Sequence, residues 1–273
     1  MTREVIIMVA PNGARKTRSD HSSLPVSIED TVSEAALCHA AGASALHAHV
    51  RGSKDEHVLD AGLYRELIDE MSIRVPGMLV QVTSEAIGIY SPEQQVSCIQ
   101  AVKPEMASMV LREISSNFEQ PAYAQRFFEW CDENRVHIQH ILFSAEEFER
   151  FLEYRARGVI PAGHRCVLFV LGRYNVNFQS DPTDLESFLQ QDLAGLDWFT
   201  CAFGQREQEC VMAAIDAGGH ARVGFENNLY LPDGELAPNT AALVTSLVDA
   251  LKRQRLSAAS SATARQRLGI RSA

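Results

Sequence analysis

Long apolar runs are missing from this sequence. None approaches the ~18–20 residues that a helix needs to cross a bilayer, so a membrane-spanning chain is not expected. Positive charge is also short: 25 Lys and Arg stand against 35 Asp and Glu, and the net charge of −10 argues against a nucleic-acid or anionic-membrane surface. There is no Cys-x-x-Cys pair. The six cysteines (Cys38, Cys98, Cys131, Cys166, Cys201 and Cys210) fall singly in apolar-periodic segments, which excludes a dithiol motif and points to reduced, buried thiols. No signal-peptide pattern opens the chain, because Met1-Thr2-Arg3-Glu4 runs straight into strand-like sequence, and a cytoplasmic protein is expected. A Gly-rich phosphate turn is absent after the first strand, where Gly13 stands alone, which argues against a doubly wound dinucleotide fold. No linker-like or low-complexity stretch appears before an Ala-, Ser- and Arg-rich tail. One domain is expected over residues 1–273, with a helical tail from about 257.

What is present is alternation. Short Val- and Ile-rich runs read as strands: Glu4 to Val9, Ala45 to Val50, Met78 to Thr83, Glu105 to Val110, Val136 to Phe143, Cys166 to Leu171, Trp198 to Cys201 and Arg222 to Phe225. Helices are expected between and after them. The first starts at Ser27, which caps it in a capping box with Asp30, and stops at Gly42; others run near Ala61–Ile73, Pro92–Val102, Ala122–Asn134, Ala145–Arg157, Pro182–Leu193, Gln205–Ala217 and Asn239–Arg255. Eight strand–helix pairs in roughly 250 residues, with strands apolar on both faces, make the α/β pattern of a (β/α)8 TIM barrel.

In such a barrel the chemistry lies at the C-terminal ends of the strands. The second strand ends in His47-Ala48-His49-Val50-Arg51, and residues two apart on a strand share a face. His47 and His49 therefore pair as metal ligands, Glu226 after the last strand is the natural third, and this donor set suits zinc or another divalent ion with an open position. Strand one ends at Asn12, Gly13 and Arg15. Strand three ends at Thr83, Ser84 and Glu85, strand four supplies Ser108, strand five supplies His140, and strand eight supplies Arg222 with Asn227 beyond it. Arg15, Arg51 and Arg222 at one mouth suit a carboxylate or phosphate. Glu85, His140 and His21 are candidate acid/base groups, while His220, after Gly218-Gly219, reads as a turn residue.

These segments together resemble a known family. Asn12-Gly13-Ala14 with Leu24-Pro25-Val26, the run from Ala41 through His47-Ala48-His49-Val50-Arg51, Lys103 to Ser108, Gly218 to Tyr230 and Ala264 to Gly269 are similar to the β-keto acid cleavage enzymes, the zinc-dependent barrels that include 3-keto-5-aminohexanoate cleavage enzyme. The resemblance implies a zinc ion on His47, His49 and Glu226 that polarises a keto group, with Ser84 and Ser108 near the developing oxyanion. It implies a small β-keto acid and acetyl-CoA as co-substrates, condensed and then split by retro-Claisen chemistry to acetoacetate and a new acyl-CoA. A homo-oligomer, such as a tetramer, belongs to the same expectation. Asn12, Gly13, Arg15, Arg51, Thr83 and His140 are expected to contact substrate, and Arg222, Ser84, Ser108, Asn227 and Glu85 to serve catalysis.

The chain is a divergent member of that pattern. The family places an aspartate base after the glutamate ligand, in a dyad with the arginine matching Arg222; here Asn227 stands there, and an amide cannot accept a proton. Glu85 and His140 are the substitutes the sequence offers. Arg15 stands where relatives that bind an amino substrate often carry glutamate, which favours an acidic or neutral group at that end of the substrate. Two other readings remain open: a metal-assisted C–C lyase or hydrolase working without CoA, and a catalytically silent zinc-containing metabolite-binding protein.

Overall fold

The computed structural model describes residues 3–115 and 121–270. Eight parallel strands close into a barrel: β1 Ile7–Val9, β2 Ala45–Ala48, β3 Leu79–Thr83, β4 Met106–Val110, β5 His137–Leu142, β6 Cys166–Leu171, β7 Asp197–Ala202 and β8 His220–Val223. Closure comes from β8 pairing with β1, in the register Ile7 with Ala221, Met8 with Arg222 and Val9 with Val223. The (β/α)8 fold expected from the alternation is the fold observed. Because β1, β2, β3 and β8 are contiguous, the loops carrying Asn12, His49, Glu85 and Glu226 meet over one half of the mouth.

The helices begin and end where local chemistry dictates. α1, Ile28–Ala41, starts at Ser27, whose hydroxyl accepts from the Asp30 amide while the Asp30 carboxylate accepts from the Ser27 amide. A cap of this kind contributes about 1 kcal/mol. Gly42, at φ 118°, stops the helix. α2 Ala61–Arg74, α3 Pro92–Val102, α4 Ala122–Glu133, α5 Ala145–Ala156, α6 Glu207–Asp216 and α7 Thr240–Arg253 complete the outer layer. Their inner faces and the outward faces of the strands bury one continuous core that includes Val9, Leu46, Phe128, Phe148 and Leu247. A second core fills the barrel's interior, where Ile6, Met8, Leu79, Met106 and Phe199 meet Ala264 and Leu268 of α8, Ser261–Leu268. All six cysteines are buried and free.

Three expectations need correction. The first strand does not run unbroken from Glu4 to Val9: Glu4–Val5 leaves the barrel to pair with Ser257–Ala258, which ties the tail to the N-terminal segment. The helix expected from Pro182 to Leu193 is a 3-10 turn, Pro182–Leu185, and a four-residue helix, Glu186–Leu189. The last strand is His220–Val223, so His220 belongs to it and not to a turn, and the strand stops before Phe225. Gly224 ends it, because φ is 144° there and a Cβ would lie 2.3 Å from the Ala10 carbonyl oxygen. That close approach turns the chain sharply and carries Glu226 over the barrel mouth.

Candidate metal centre and active site

The imidazoles of His47 and His49 bring their Nε2 atoms within 3.1 Å of each other. Glu226 Oε2 lies 3.4 Å from His47 Nε2 and 3.8 Å from His49 Nε2. Hydrogen bonds fix which nitrogen carries the proton. His47 Nδ1 faces the Gln81 carbonyl oxygen at 2.7 Å, and since Gln81 donates its own NH2 to Gln139, the His47 nitrogen is the donor. His57 Nε2 donates to the Glu85 main-chain carbonyl at 3.0 Å, which leaves His57 Nδ1 to accept from His49 Nδ1 at 3.3 Å. Both Nε2 atoms are thereby bare lone pairs.

Burial keeps the pair neutral. It pulls the His47 pKa down to about 4 against the opposing pull of Glu226, and it sets His49 well below its ordinary value, with His47 and His57 adding to the effect. Burial pushes the Glu226 carboxyl the other way, but Arg222 above all, then His47 and Lys16, hold it below the usual range. Glu226 Oε2 is buried and has no hydrogen-bond partner among the described residues. Two nitrogen lone pairs and one anionic oxygen thus converge on one point, within 4.8 Å of one another. Their mutual repulsion is relieved by a cation, and the donor set fits a divalent metal ion.

The loop chemistry holds Glu226 there. Its backbone amide donates to Ala10 O at 3.0 Å, Lys16 Nζ donates to its carbonyl at 2.6 Å, and Arg222 Nη2 lies 3.2 Å from Oε1. Gly13 leaves room for it, since a Cβ there would stand 2.5 Å from Glu226 Cγ and φ is +66°. Glu207, fully buried and with a pKa raised by desolvation to about 8, accepts from the Gly224 amide and the Asn228 side chain and so braces the same turn from behind.

A cavity of about 330 Å³ opens over His47 and Glu226. Arg222 reaches it 3% exposed, with Nε and Nη1 unpartnered, so N–H groups on two separate nitrogens remain for an acceptor while Nη2 is held by Glu226 and Cys201. Ser108 Oγ is buried there without a partner, whereas Ser84 Oγ donates to the Ser108 carbonyl at 2.9 Å. Thr83 also lines the cavity, and its hydroxyl accepts from the Glu85 amide. Glu85 stands beside the candidate ligands at the mouth: Oε2 lies 3.9 Å from His49 Nδ1 and Oε1 lies 2.7 Å from Arg15. Burial raises its pKa, Glu226 adds to that, and Arg15 opposes both.

Three candidates from the sequence sit elsewhere. His140 does not face the mouth. Gln139 and Ile141 point inward from β5, so the residue between them points outward, and His140 packs against Phe128, Phe151 and His164 with both nitrogens unpartnered. An imidazole left without partners costs about 1–3 kcal/mol. His140→Leu is therefore expected to leave turnover within about twofold and to raise the melting temperature by about 2 °C; a large rise in KM would return His140 to the site. Arg51 turns away as well, donating to the carbonyls of Gly13, Lys16 and Asp55 and so fixing the first loop. His21 is satisfied by Ala237 O and the Ser23 amide. Asn12 lies beside the site rather than open to it, bridging the amide and carbonyl of His49.

The structure also brings in residues the sequence did not single out. Arg173 stacks on the rings of Tyr174, Phe178 and Phe203 and makes no hydrogen bond or ion pair among the described residues. It follows β6 as Phe203 follows β7, so position after a strand end was the available signal. His57 had none: it reaches His49 because its loop folds back, pairing with Arg51.

The comparisons with known proteins agree with this geometry. The family model of the beta-keto acid cleavage enzymes matches residues 4–270. The 3-keto-5-aminohexanoate cleavage enzyme of Fusobacterium nucleatum is 28% identical over 279 residues, covering 99% of this chain and all of that one. The 3-oxoadipate:acetyl-CoA acetyltransferase of Cupriavidus necator is 25% identical over 282 residues, with 99% and 96% covered. Among solved structures, the binary complex of ObcA with oxaloacetate superposes with a TM-score of 0.75 at 14% identity, over 91% of this chain and 67% of that one, a likeness of fold.

Proposed function

Because the chain belongs to the β-keto acid cleavage enzyme family, we propose that it is a zinc enzyme converting a small β-keto acid and acetyl-CoA into acetoacetate and a new acyl-CoA. The observation that carries this reading is the convergence of three lone pairs from His47, His49 and Glu226 beneath a cavity lined by Arg222, which has two unpartnered nitrogens, and by Glu85. Names of relatives that act on β-keto acids with acetyl-CoA support it. Zinc fits two imidazoles and one carboxylate with an open position. When bound it would polarise the keto oxygen as a Lewis acid.

The chain's own groups take the remaining roles. Arg222 receives the substrate carboxylate on one of its two unpartnered nitrogens. Glu85 accepts the proton from the carbon between the two carbonyls, since the family's aspartate is replaced by Asn227 and His140 faces the helices. The carbanion adds to the thioester carbonyl of acetyl-CoA and the CoA thiolate leaves. The thiolate then adds to the original keto carbon, whose bond to the former carbanion centre breaks. The electron pair on that centre takes back one proton, which releases acetoacetate. Ser108 Oγ, free of protein partners, donates to the oxyanion that develops in these additions.

The test is to incubate zinc-loaded protein with a panel of β-keto acids, with and without acetyl-CoA, and to follow acetoacetate. Formation only when acetyl-CoA is present is the expected result. Cleavage without CoA would assign a lyase or hydrolase, and ligand-induced thermal stabilisation without any turnover would assign a binding protein.

A further inference from the structure

We propose that Arg173 receives a second carboxylate, at the far end of the substrate, so that this chain acts on a β-keto acid with a carboxylate at each end; this rests on the functional reading above. Arg173 and Arg222 both line the cavity over His47 and Glu226. They reach it from different elements and at different depths: Arg222 is 3% exposed on β8, and Arg173 is half-buried on the loop that leaves β6. The same cavity has an apolar side, made by Val110, Ile141, Phe143, Val170 and Phe203. Two cations and an apolar wall match a short methylene chain that ends in a carboxylate on both sides.

The other cations around the mouth are spent on the chain itself. Arg15 donates to Glu85 at 2.7 Å, Lys16 to the Glu226 carbonyl at 2.6 Å, and Arg51 to three loop carbonyls. Arg112 pairs with Glu147 at 2.5 Å. The positive charge that the sequence led one to expect from Arg15 is thus already answered. Arg173 makes no hydrogen bond or ion pair among the described residues. The two carboxylates near enough to attract it, Glu85 and Glu226, are paired with Arg15 and Arg222.

Rings hold Arg173 in place without neutralising it. Its guanidinium carbon lies 5.6 Å from the ring centre of Tyr174, 5.3 Å from that of Phe178 and 5.5 Å from that of Phe203. Stacking uses the faces of a guanidinium and leaves its N–H donors, which lie in the plane, for an acceptor. Gly172 sets where the residue starts: φ is +76° there and a Cβ would stand 2.9 Å from the Gln179 carbonyl oxygen, so the loop closes tightly on itself. Burial, and then Arg15, pull the Arg173 pKa below its ordinary value, and a bound anion offsets both. The cleavage described above leaves the second carboxylate on the new acyl-CoA.

The test is a ratio measured on the zinc-loaded full chain: kcat/KM for a β-keto diacid over kcat/KM for the β-keto monoacid of the same chain length. The unaltered protein is expected to favour the diacid by about 10- to 100-fold, the worth of a charge-assisted hydrogen bond. Arg173→Met keeps a stem for the rings and removes the charge, and the ratio is expected to fall to about one. Arg173→Lys restores the charge and should recover a preference of about tenfold. A ratio near one in the unaltered protein, or one that Arg173→Met leaves unchanged, overturns the assignment while the reaction stands. A change confined to the KM for acetyl-CoA overturns it too, since Arg173 would then serve an anionic group of the co-substrate. Calorimetry with a simple dicarboxylate and the matching monocarboxylate needs no turnover and separates the two readings. If no keto acid yields acetoacetate, yet the dicarboxylate binds more tightly and Arg173→Met removes the difference, the functional reading falls and the second carboxylate site stands; equal binding of the two overturns the site as well.

Discussion

His47→Ala is expected to strip the metal ion and to lower turnover about 10³-fold or more. The reasoning starts from the tautomers. With Nδ1–H of His47 directed at Gln81 and Nδ1–H of His49 at His57, both Nε2 atoms present lone pairs 3.1 Å apart. Removing one imidazole leaves one nitrogen and one carboxylate, too few donors to hold a divalent ion against water. Polarisation of a keto group by a metal ion lowers a barrier by several kcal/mol, and each ~1.4 kcal/mol is a factor of ten. Elemental analysis after dialysis gives the decisive reading: metal at the level of the unaltered protein would remove His47 from the ligand set. The variant should still fold, because the side chain lies at the mouth end of β2 and not in either apolar core.

Glu85→Gln is expected to lower turnover by about 10² to 10⁴, the usual contribution of a general base, while leaving the metal bound. Proton abstraction can be isolated from the later steps. With the keto acid alone in D2O, the unaltered enzyme should exchange the protons between the two carbonyls faster than solvent does, and the Gln variant should not. Exchange at the original rate in that variant would assign the proton to another group. Geometry favours Glu85 over the alternatives. Its backbone amide is pinned by Thr83 Oγ1, and its side chain lines the same cavity as His47, Arg222 and Glu226. Burial and Glu226 raise its proton affinity above that of a solvated glutamate, and a carboxylate with raised affinity is the better acceptor from carbon.

How much of this site the sequence carried depended on the local rule available. His47 and His49 were legible because strand alternation is local: two residues apart means one face. The same rule shows His140 on the helix side once Gln139 and Ile141 are seen to face inward, and only the barrel's closure says which parity that is. Arg51 sat beside the histidines in sequence, yet three carbonyls of the loops around it take its guanidinium. Loop closure is a tertiary event and left no local pattern. His57 is the clearest case, since it fixes the His49 tautomer from a loop position eight residues on, with nothing in its neighbours to mark it.

The sequence by itself determined the architecture and the candidate metal donors. Eight apolar runs buried on both faces, separated by capped amphipathic segments, leave little choice but a barrel, and a His-x-His strand end with a carboxylate after the last strand sets the ligand types. Only the tertiary structure decided which polar groups share a space. β8 had to close on β1 before Glu226 could meet His47, and Gly224 and Gly13 had to let backbone pass close enough for it. The meeting of Arg173, Phe203 and Glu85 at one cavity arises from loops that are distant in sequence. Contacts of that kind follow from packing and not from any local propensity, which is why Asn227 is a missing base in the sequence and an idle buried amide in the fold.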